Sequence, residues 1–175
     1  MPNWIQGSLK LRGPYENVMA FFENGITAYK YGIDISLIPR DKTEWMTIEE
    51  WDDGLTEVSF HDANNWIYVN KTRRAFIDDD RQIYINKPEP VSEDDHPETI
   101  AAIGIRQAWD FRLEDWQMLS QEYGVDIRLF GIECGIGFWR DITIVSGQVM
   151  KDKLFGNFED YSGFEWECPF PWMGG

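Results

Sequence analysis

Both ends of the chain show the same order of patterns, an alternation typical of a β-strand followed by the spacing of an amphipathic helix. Residues 5–12 alternate apolar and polar side chains with a period of two, which predicts a half-buried strand. Pro14 suits the first turn of a helix, and apolar residues then recur at helical spacing up to Asn24. Near the other end, residues 100–109 predict a strand and residues 113–123 a helix that ends at a glycine. The chain therefore combines strands with at least two helices.

The intervening and final segments predict more strands. Two strands are expected within residues 59–77, another over residues 82–86, and an exposed loop over residues 87–99. Thr47, with Glu50 three residues later, has the spacing of a capping box and predicts a helix start. After a strand over 125–129, residues 138–145 and 148–154 flank Ser146–Gly147, a two-residue hairpin signal.

These elements predict an α+β fold. The simplest arrangement is a ferredoxin-like antiparallel sheet with two helices on one face and an extra C-terminal hairpin. We expect one domain over residues 1–175, with an insertion over about residues 26–57 whose acidic part is 41–57, and an aromatic acidic tail over 156–175.

The charge of the chain narrows the classes of function. Its 175 residues include 31 Asp and Glu but 16 Lys and Arg, for a net charge of −15. Trp, Tyr and Phe number 9, 7 and 11, too many for a disordered acidic tail. Proteins bind phosphate groups mainly through Lys and Arg, so the net negative charge predicts that this chain does not coat nucleic acid or anionic lipid. With no apolar run of about 20 residues and no signal-peptide pattern at the start, the chain is expected to be cytoplasmic.

The metal-ligating and nucleophilic residue types are sparse. Cys134 and Cys168 are the two cysteines and have no CxxC spacing, and His61 and His96 are the two histidines. A structural zinc site needs four such ligands at short spacings. We therefore expect no metal site, no cofactor and no Cys–His or Ser–His nucleophile.

Several short motifs resemble the YubB ferredoxin-like family of phage and plasmid proteins. They are the start MPNW with its strand, glycine and helix, Ala108-Trp109-Asp110, the helix WQMLSQEYG over 116–124, and Glu133 to Phe138, which is similar to an E-x-G-x-x-F signature. The resemblance covers roughly residues 1–25 and 100–150. It departs at Arg140, where a small Gly is usual, and at residues 104–107, which replace an Asn-Trp-Gly-Thr. It implies a ferredoxin-like fold and a mobile-element origin, and it transfers no catalytic residue because the family has no assigned activity.

The acidic clusters suggest a non-catalytic inhibitor that imitates nucleic acid. Duplex DNA presents a negative charge about every 1.7 Å of its axis, and rows of carboxylates on a rigid protein can occupy the same cationic channel. The expected partner is the basic surface of a host nucleic-acid-binding protein, such as a CRISPR effector or a restriction enzyme. The candidate partner-binding residues are Glu49, Glu50, Asp52, Asp53, Asp78, Asp79, Asp80, Glu93, Asp94 and Asp95. The alternative is that these runs are simply solvated faces of an adaptor domain.

A metal-dependent nuclease acting on DNA or guide RNA is the enzymatic alternative. It would need converging carboxylates and a general base, and the candidates are His61, Asp62 and Glu133. Adjacent residues of a strand point to opposite faces, which weakens the pair of His61 and Asp62. A Glu-x-Gly at the end of a strand more often binds the backbone of a turn than performs catalysis.

Direct binding of nucleic acid is a further alternative. Trp66, Tyr68 and Phe76 lie near the densest basic cluster, which comprises Lys71, Arg73 and Arg74. In the opposing interpretation, Trp66 and Tyr68 face the helices and the basic residues neutralise neighbouring acids, and the net charge favours that interpretation. The aromatic tail and the hairpins are also candidates for the seam of a homodimer.

Overall fold

The computed structural model describes residues 3–31, 37–61, 66–78, 82–89 and 97–156. The elements of these ranges are β1 (Trp4–Pro14), α1 (Tyr15–Asn24), β2 (Ile26–Tyr31), β3 (Leu37–Pro39), a 3-10 turn (Lys42–Glu44), β4 (Met46–Glu50), β5 (Leu55–Phe60), β6 (Trp66–Val69), β7 (Ala75–Ile77), β8 (Gln82–Asn86), β9 (Glu98–Ala108), α2 (Leu113–Tyr123), β10 (Asp126–Glu133), β11 (Phe138–Val145) and β12 (Gln148–Phe155).

The strands form one large and one small antiparallel sheet. The main sheet has nine strands in the order β12-β11-β10-β1-β9-β7-β6-β2-β3, and the second sheet has the order β4-β5-β8. The predicted ferredoxin-like α+β fold is therefore wrong, because the protein is mostly β-structure. The difference from the prediction arises in the middle of the chain, where β7 pairs with β9 and extends the sheet through β6, β2 and β3. Residues 26–57, expected as an insertion, supply strands to both sheets.

The predictions from clear periodicity are confirmed. The alternation over residues 5–12 lies in β1, whose odd positions are buried and whose even positions are more exposed. The two predicted helices are α1 and α2, and Gly124 ends α2 in the left-handed conformation with φ of 61°. Ser146 and Gly147 both have positive φ in the hairpin between β11 and β12.

The helix predicted to start at Thr47 is wrong. Thr47 lies in β4, which pairs with β5 from Met46↔Phe60 to Glu50↔Thr56. Trp45, just before β4, is buried and stacks on Phe60 with ring centroids 6.2 Å apart. Sheet pairing and burial of these large aromatic side chains outweigh a capping-box spacing that contributes about 1 kcal/mol.

A single core lies between the main sheet and a second layer. Buried residues of α1, α2 and the small sheet join the inward side chains of the main sheet in one cluster, as Phe21, Trp116, Val58, Leu9 and Ile105 illustrate. The hydroxyl groups of Tyr15 and Thr56, 2.6 Å apart, form a buried hydrogen bond that ties α1 to β5. The small sheet therefore lies in the same layer as the helices.

The opposite side of the main sheet is called the helix-free face below. It is defined by the even-numbered positions of β1, from Trp4 to Arg12, and by the residues that pair with them and with their neighbours across the sheet. Within the described ranges, no helix contributes to its apolar cluster of Phe130, Ile132, Trp139 and Phe155. Trp139 stacks on Phe155 with centroids 3.6 Å apart.

The α-helices of the described ranges are 10 and 11 residues long, and neither is long and apolar enough to cross a membrane.

Candidate functional site

The turn between β4 and β5 brings together four of the predicted partner-binding residues. These four residues are exposed and flank Trp51 in sequence, and Trp51 is itself 50% exposed. We call Glu49, Glu50, Asp52 and Asp53 the acidic tip. Among the described residues, the ion pair of the tip joins Lys87 to Glu50, with Nζ 3.8 Å from Oε2.

Backbone hydrogen bonds hold the acidic tip in one conformation. The N–H of Trp51 donates to the carbonyl of Leu55 at 2.8 Å, and the N–H of Gly54 donates back to the carbonyl of Trp51 at 3.1 Å. The Asp53 carboxylate accepts from the N–H of Leu55 at 3.1 Å, as in an Asx turn. Gly54 has φ of 79°, which a residue with a side chain rarely adopts. The charges of the tip are therefore held on a closed turn.

A like-charge pair lies across the hairpin beside the tip. Glu49 is directly opposite Glu57, and carboxylates in such positions repel. Glu57 is buried and accepts a hydrogen bond from the hydroxyl of Ser59 at 2.6 Å. Glu49 and Glu57 therefore share the face of the small sheet that points away from the core residue Val58, with Glu49 exposed and Glu57 buried among its neighbours.

The remaining predicted partner-binding residues are not at the tip. Asp78 follows β7 in the main sheet, is exposed and lies 3.5 Å from Arg106. Asp79, Asp80, Glu93, Asp94 and Asp95 lie outside the described residues.

The enzymatic candidates do not form a described site. His61 Nε2 lies 2.9 Å from the hydroxyl of Thr47 next to the small sheet. Glu133 ends β10 in the main sheet, is 1% exposed, and accepts from the N–H groups of Gly135 and Ile136 at 2.8 and 2.5 Å. Glu133 thus caps a turn, as the motif suggested, and Asp62 lies outside the described residues. In the part of the chain that the structure describes, no group of three His, Cys, Asp or Glu is placed to hold a metal ion.

A cavity of about 340 Å³, which the sequence did not reveal, opens between the end of β9 and the start of α2. Its lining includes Arg73, Trp109, Arg112 and Arg140. Trp109 is 49% exposed and has φ of 74°, a conformation that costs a residue other than glycine about 1 kcal/mol or more. The resemblance had drawn attention to Trp109, but an alternating strand pattern gives no signal of its backbone conformation.

The floor of this cavity is organised by one buried amide. Gln107 is fully buried, and its side-chain oxygen accepts from the Trp116 indole at 3.0 Å and from the Arg112 N–H at 3.2 Å. Its side-chain nitrogen donates to the carbonyl of Arg73 at 3.1 Å. Gln107 thus fixes the strand end, the helix start and the loop before β7 relative to one another.

The charges of the cavity neutralise one another. Arg140 binds both Asp110 and Asp152, and its hydrogen bonds hold the pKa of Asp152 below its ordinary value. Burial raises the pKa of Asp110 despite the same guanidinium. Arg112 lies within 3.7 Å of carboxylates of Glu114 and Asp115. This network supports the fold.

Comparisons with protein-family models, curated proteins and solved structures gave no match. The resemblance to the YubB ferredoxin-like family therefore stays a prediction from short sequence motifs.

Proposed function

We propose that the chain is a non-catalytic accessory protein of a phage or another mobile element, which acts in the cytoplasm of the host cell. In this proposal the acidic tip binds the basic surface of a nucleic-acid-handling host protein, such as a CRISPR effector or a restriction enzyme, and inhibits it. The observation that carries the proposal is that one closed hairpin presents four exposed acidic residues on either side of a half-exposed tryptophan in the sequence.

The charge of the tip suits a cationic channel. Four carboxylates with one paired lysine leave an excess of negative charge on a single turn. A channel that binds DNA or RNA presents Lys and Arg at a spacing matched to phosphates, and it releases counterions when anions enter. Carboxylates that enter the channel release the same counterions, so the tip competes with nucleic acid for the surface.

Trp51 gives the tip an apolar anchor in addition to charge. Exposed tryptophans are among the side chains that contribute most to binding when an interface buries them. The Trp51 N–H is already bonded to Leu55, so binding needs no ordering of the backbone at this position. Charge thus supplies attraction, and the indole supplies short-range contact.

The test measures binding and inhibition together. Purified CRISPR effectors and restriction enzymes of the host are titrated with the labelled full chain at salt between about 50 and 200 mM. For the partner that binds, we expect a steep loss of affinity with salt and loss of the partner's nuclease activity. The doubly substituted variant Asp52→Asn/Asp53→Asn should bind roughly tenfold more weakly or worse, and Trp51→Ala should weaken binding without changing the salt dependence.

A matched control removes the same charge elsewhere. Glu114 and Glu122 are exposed on α2 and form surface ion pairs, whose loss costs little stability. The variant Glu114→Gln/Glu122→Gln should bind the partner as the unchanged chain does. Equal weakening by both double variants would show that overall charge, and not the tip, drives binding. Cleavage of nucleic acid by the chain alone, abolished by chelator, would overturn the proposal in favour of a nuclease.

A further inference from the structure

The helix-free face is basic although the chain as a whole is acidic. Six basic and three acidic residues occupy its paired strand positions; they are Lys10, Arg12, Arg106, Arg128, Lys151 and Lys153, against Glu98, Asp126 and Asp141. The whole chain has 31 acidic and 16 basic residues, so the ratio of charges on this face is the reverse. Salt at physiological strength screens charges beyond about 8 Å, and a ligand on this face therefore meets mainly its local cations.

The acids of this face are already engaged within the molecule. Asp126 and Glu98 both pair with Arg12, Asp141 pairs with Arg128 and Lys151, and Asp78, just after β7, pairs with Arg106. Lys10 and Arg74, in contrast, form no ion pair with any described residue, and both side chains are exposed. Positive charge thus remains available at two places on the face.

A row of aromatic rings crosses the same face beside these cations. Trp4, Phe76, Tyr68 and Tyr29 contact one another in order, with ring centroids 5.8, 5.7 and 6.2 Å apart. Register places Phe76 opposite Arg106 and Tyr68 opposite Phe76, so the row runs across β7, β6 and β2. The interpretation in which Tyr68 faces the helices is wrong, since Ile67 and Val69 take the inward positions.

Two arginines lie against the end of this row. The guanidinium carbons of Arg74 and Arg106 are 5.7 and 5.5 Å from the centre of the Trp4 ring, and that of Arg106 is 6.0 Å from the Phe76 ring. Planar guanidinium groups and aromatic rings both stack on unpaired bases, and the same guanidinium groups attract phosphates. Sheet-based modules bind single strands through a combination of rings and cations on one face of a sheet.

We propose that the helix-free face binds single-stranded nucleic acid through Trp4, Tyr68, Arg74, Arg106 and Lys10. Bases stack on the partly exposed rings of the row and on the two arginines, while the phosphate backbone runs along β1 toward Lys10. Lys10 is six residues from Trp4 along the strand, about 20 Å, which matches a site of a few nucleotides. Duplex is not the ligand, because its bases already stack on one another and cannot reach the rings.

This inference is independent of the proposed function, because the acidic tip belongs to the layer of helices on the other side of the main sheet. The prediction against direct nucleic-acid binding used the net charge, which averages the two sides. Because the acidic tip and the basic residues lie on opposite sides of the main sheet, the net charge of the chain does not describe the charge that a ligand meets on the helix-free face.

The experiment measures anisotropy of a labelled oligothymidylate of about 12 nucleotides with the full chain, as a function of salt. Binding should weaken with salt, and a duplex of equal length should bind more weakly than the single strand. The variant Arg74→Gln/Lys10→Gln should lose about tenfold or more in affinity at low salt and reduce the log–log salt slope by about 0.7 for each cation. Both residues are exposed, so the variant is expected to fold.

Two further variants separate stacking from charge. Trp4→Leu should weaken binding roughly fivefold to hundredfold with an unchanged salt slope, with circular dichroism as the check on folding. The matched control is Lys30→Gln, which changes an exposed lysine of β2. Lys30 follows Tyr29 in sequence and therefore lies on the other face of the strand, so this variant should bind normally. Absence of oligothymidylate binding, tighter binding of the duplex, or equal losses for Lys30→Gln and Arg74→Gln/Lys10→Gln would each overturn the proposal.

Discussion

The guanidinium of Arg140 donates a 2.5 Å hydrogen bond to the carboxylate of Asp110, joining β11 to the segment that leads into α2. The same side chain donates to the carbonyl of Phe111 at 2.8 Å and to both carboxylate oxygens of Asp152 at 2.8 and 2.9 Å. Arg140 thus connects three parts of the chain, at the position where the resembling family has a small glycine.

Replacement of Arg140 by Gln should destabilise the fold. The variant leaves the partly buried Asp110 without its cation, and loss of one partner of such a pair costs about 2–4 kcal/mol. The free energy of unfolding, measured with urea at about pH 7, is expected to fall by that amount. Arg112→Gln, which removes an exposed arginine near the same cavity, should cost less than about 1 kcal/mol.

The same variant predicts a pH dependence. Asp152 has a lowered pKa in the folded chain because of Arg140, so its stabilising effect exists above the pKa of the unfolded chain and is lost as the pH falls through the folded pKa. Burial raises the pKa of Asp110 even with the guanidinium present, so ionisation of Asp110 opposes folding at neutral pH, and loss of Arg140 increases that opposition. The destabilisation by Arg140→Gln should therefore be larger at about pH 7 than below about pH 4. A difference that grows on acidification would contradict this account.

Glu133→Gln should lower stability without abolishing any binding. Its two carboxylate oxygens accept from two N–H groups of one turn while almost wholly buried, and a neutral amide offers one acceptor in their place. We expect a loss of about 1–3 kcal/mol in urea unfolding. Glu16→Gln, on the exposed side of α1, is the control and should change stability by about 0.5 kcal/mol or less. Unchanged stability of Glu133→Gln would return this carboxylate to the list of functional candidates.

Gly7→Ala should disrupt the pairing of β1 with β10, in which Gly7 lies opposite Gly131. A β-carbon at Gly7 would lie 1.8 Å from the carbonyl oxygen of Phe130 and 2.6 Å from the α-carbon of Gly131, both backbone atoms that cannot move aside. The expected cost exceeds about 3 kcal/mol, enough to lower soluble yield sharply. Gly156→Ala, where the new atom meets nothing within 4 Å, should leave the melting temperature unchanged.

Ser120→Ala should loosen the end of α2. The fully buried hydroxyl donates to the carbonyl of Val125 at 2.6 Å and accepts from the N–H of Gly147 at 2.9 Å, so the variant leaves two backbone groups unsatisfied. Thermal unfolding should show a loss of about 1–3 kcal/mol. Faster amide exchange at Gly147 than in the unchanged chain would locate the effect, and unaltered exchange there would argue against the hydrogen bond.

Sequence patterns were sufficient to predict the elements that are stabilised mostly by local interactions and the strands that pair with other long strands. The alternation of β1, the apolar spacing of α1 and the glycine that ends α2 each predicted the observed element. Short strands of the middle segment could not be assigned to a sheet in this way. β7 has three residues, and its place in the main sheet depends on pairing with β9, which lies about 30 residues further along the chain.

The candidate surfaces were predictable to different degrees. The carboxylates of the acidic tip were evident from composition, but the exposure of Trp51 depends on the hairpin that presents it. Gln107 and Arg140 were missed because their roles come from partners distant in sequence. The basic residues of the helix-free face did leave a signal in the sequence, since Lys10 and Arg12, like Lys151 and Lys153, are spaced two apart as one face of a strand requires.

The acidic tip and the basic residues of the helix-free face lie on opposite sides of the main sheet, and this has a consequence for the protein in dilute buffer. The two surfaces are complementary, yet they are different patches, so we expect copies of the chain to attract one another head to tail. A contact of this kind has no twofold symmetry and does not close on itself, and it adds molecules in an open series. We therefore expect light scattering that rises at low ionic strength and disappears when salt is added.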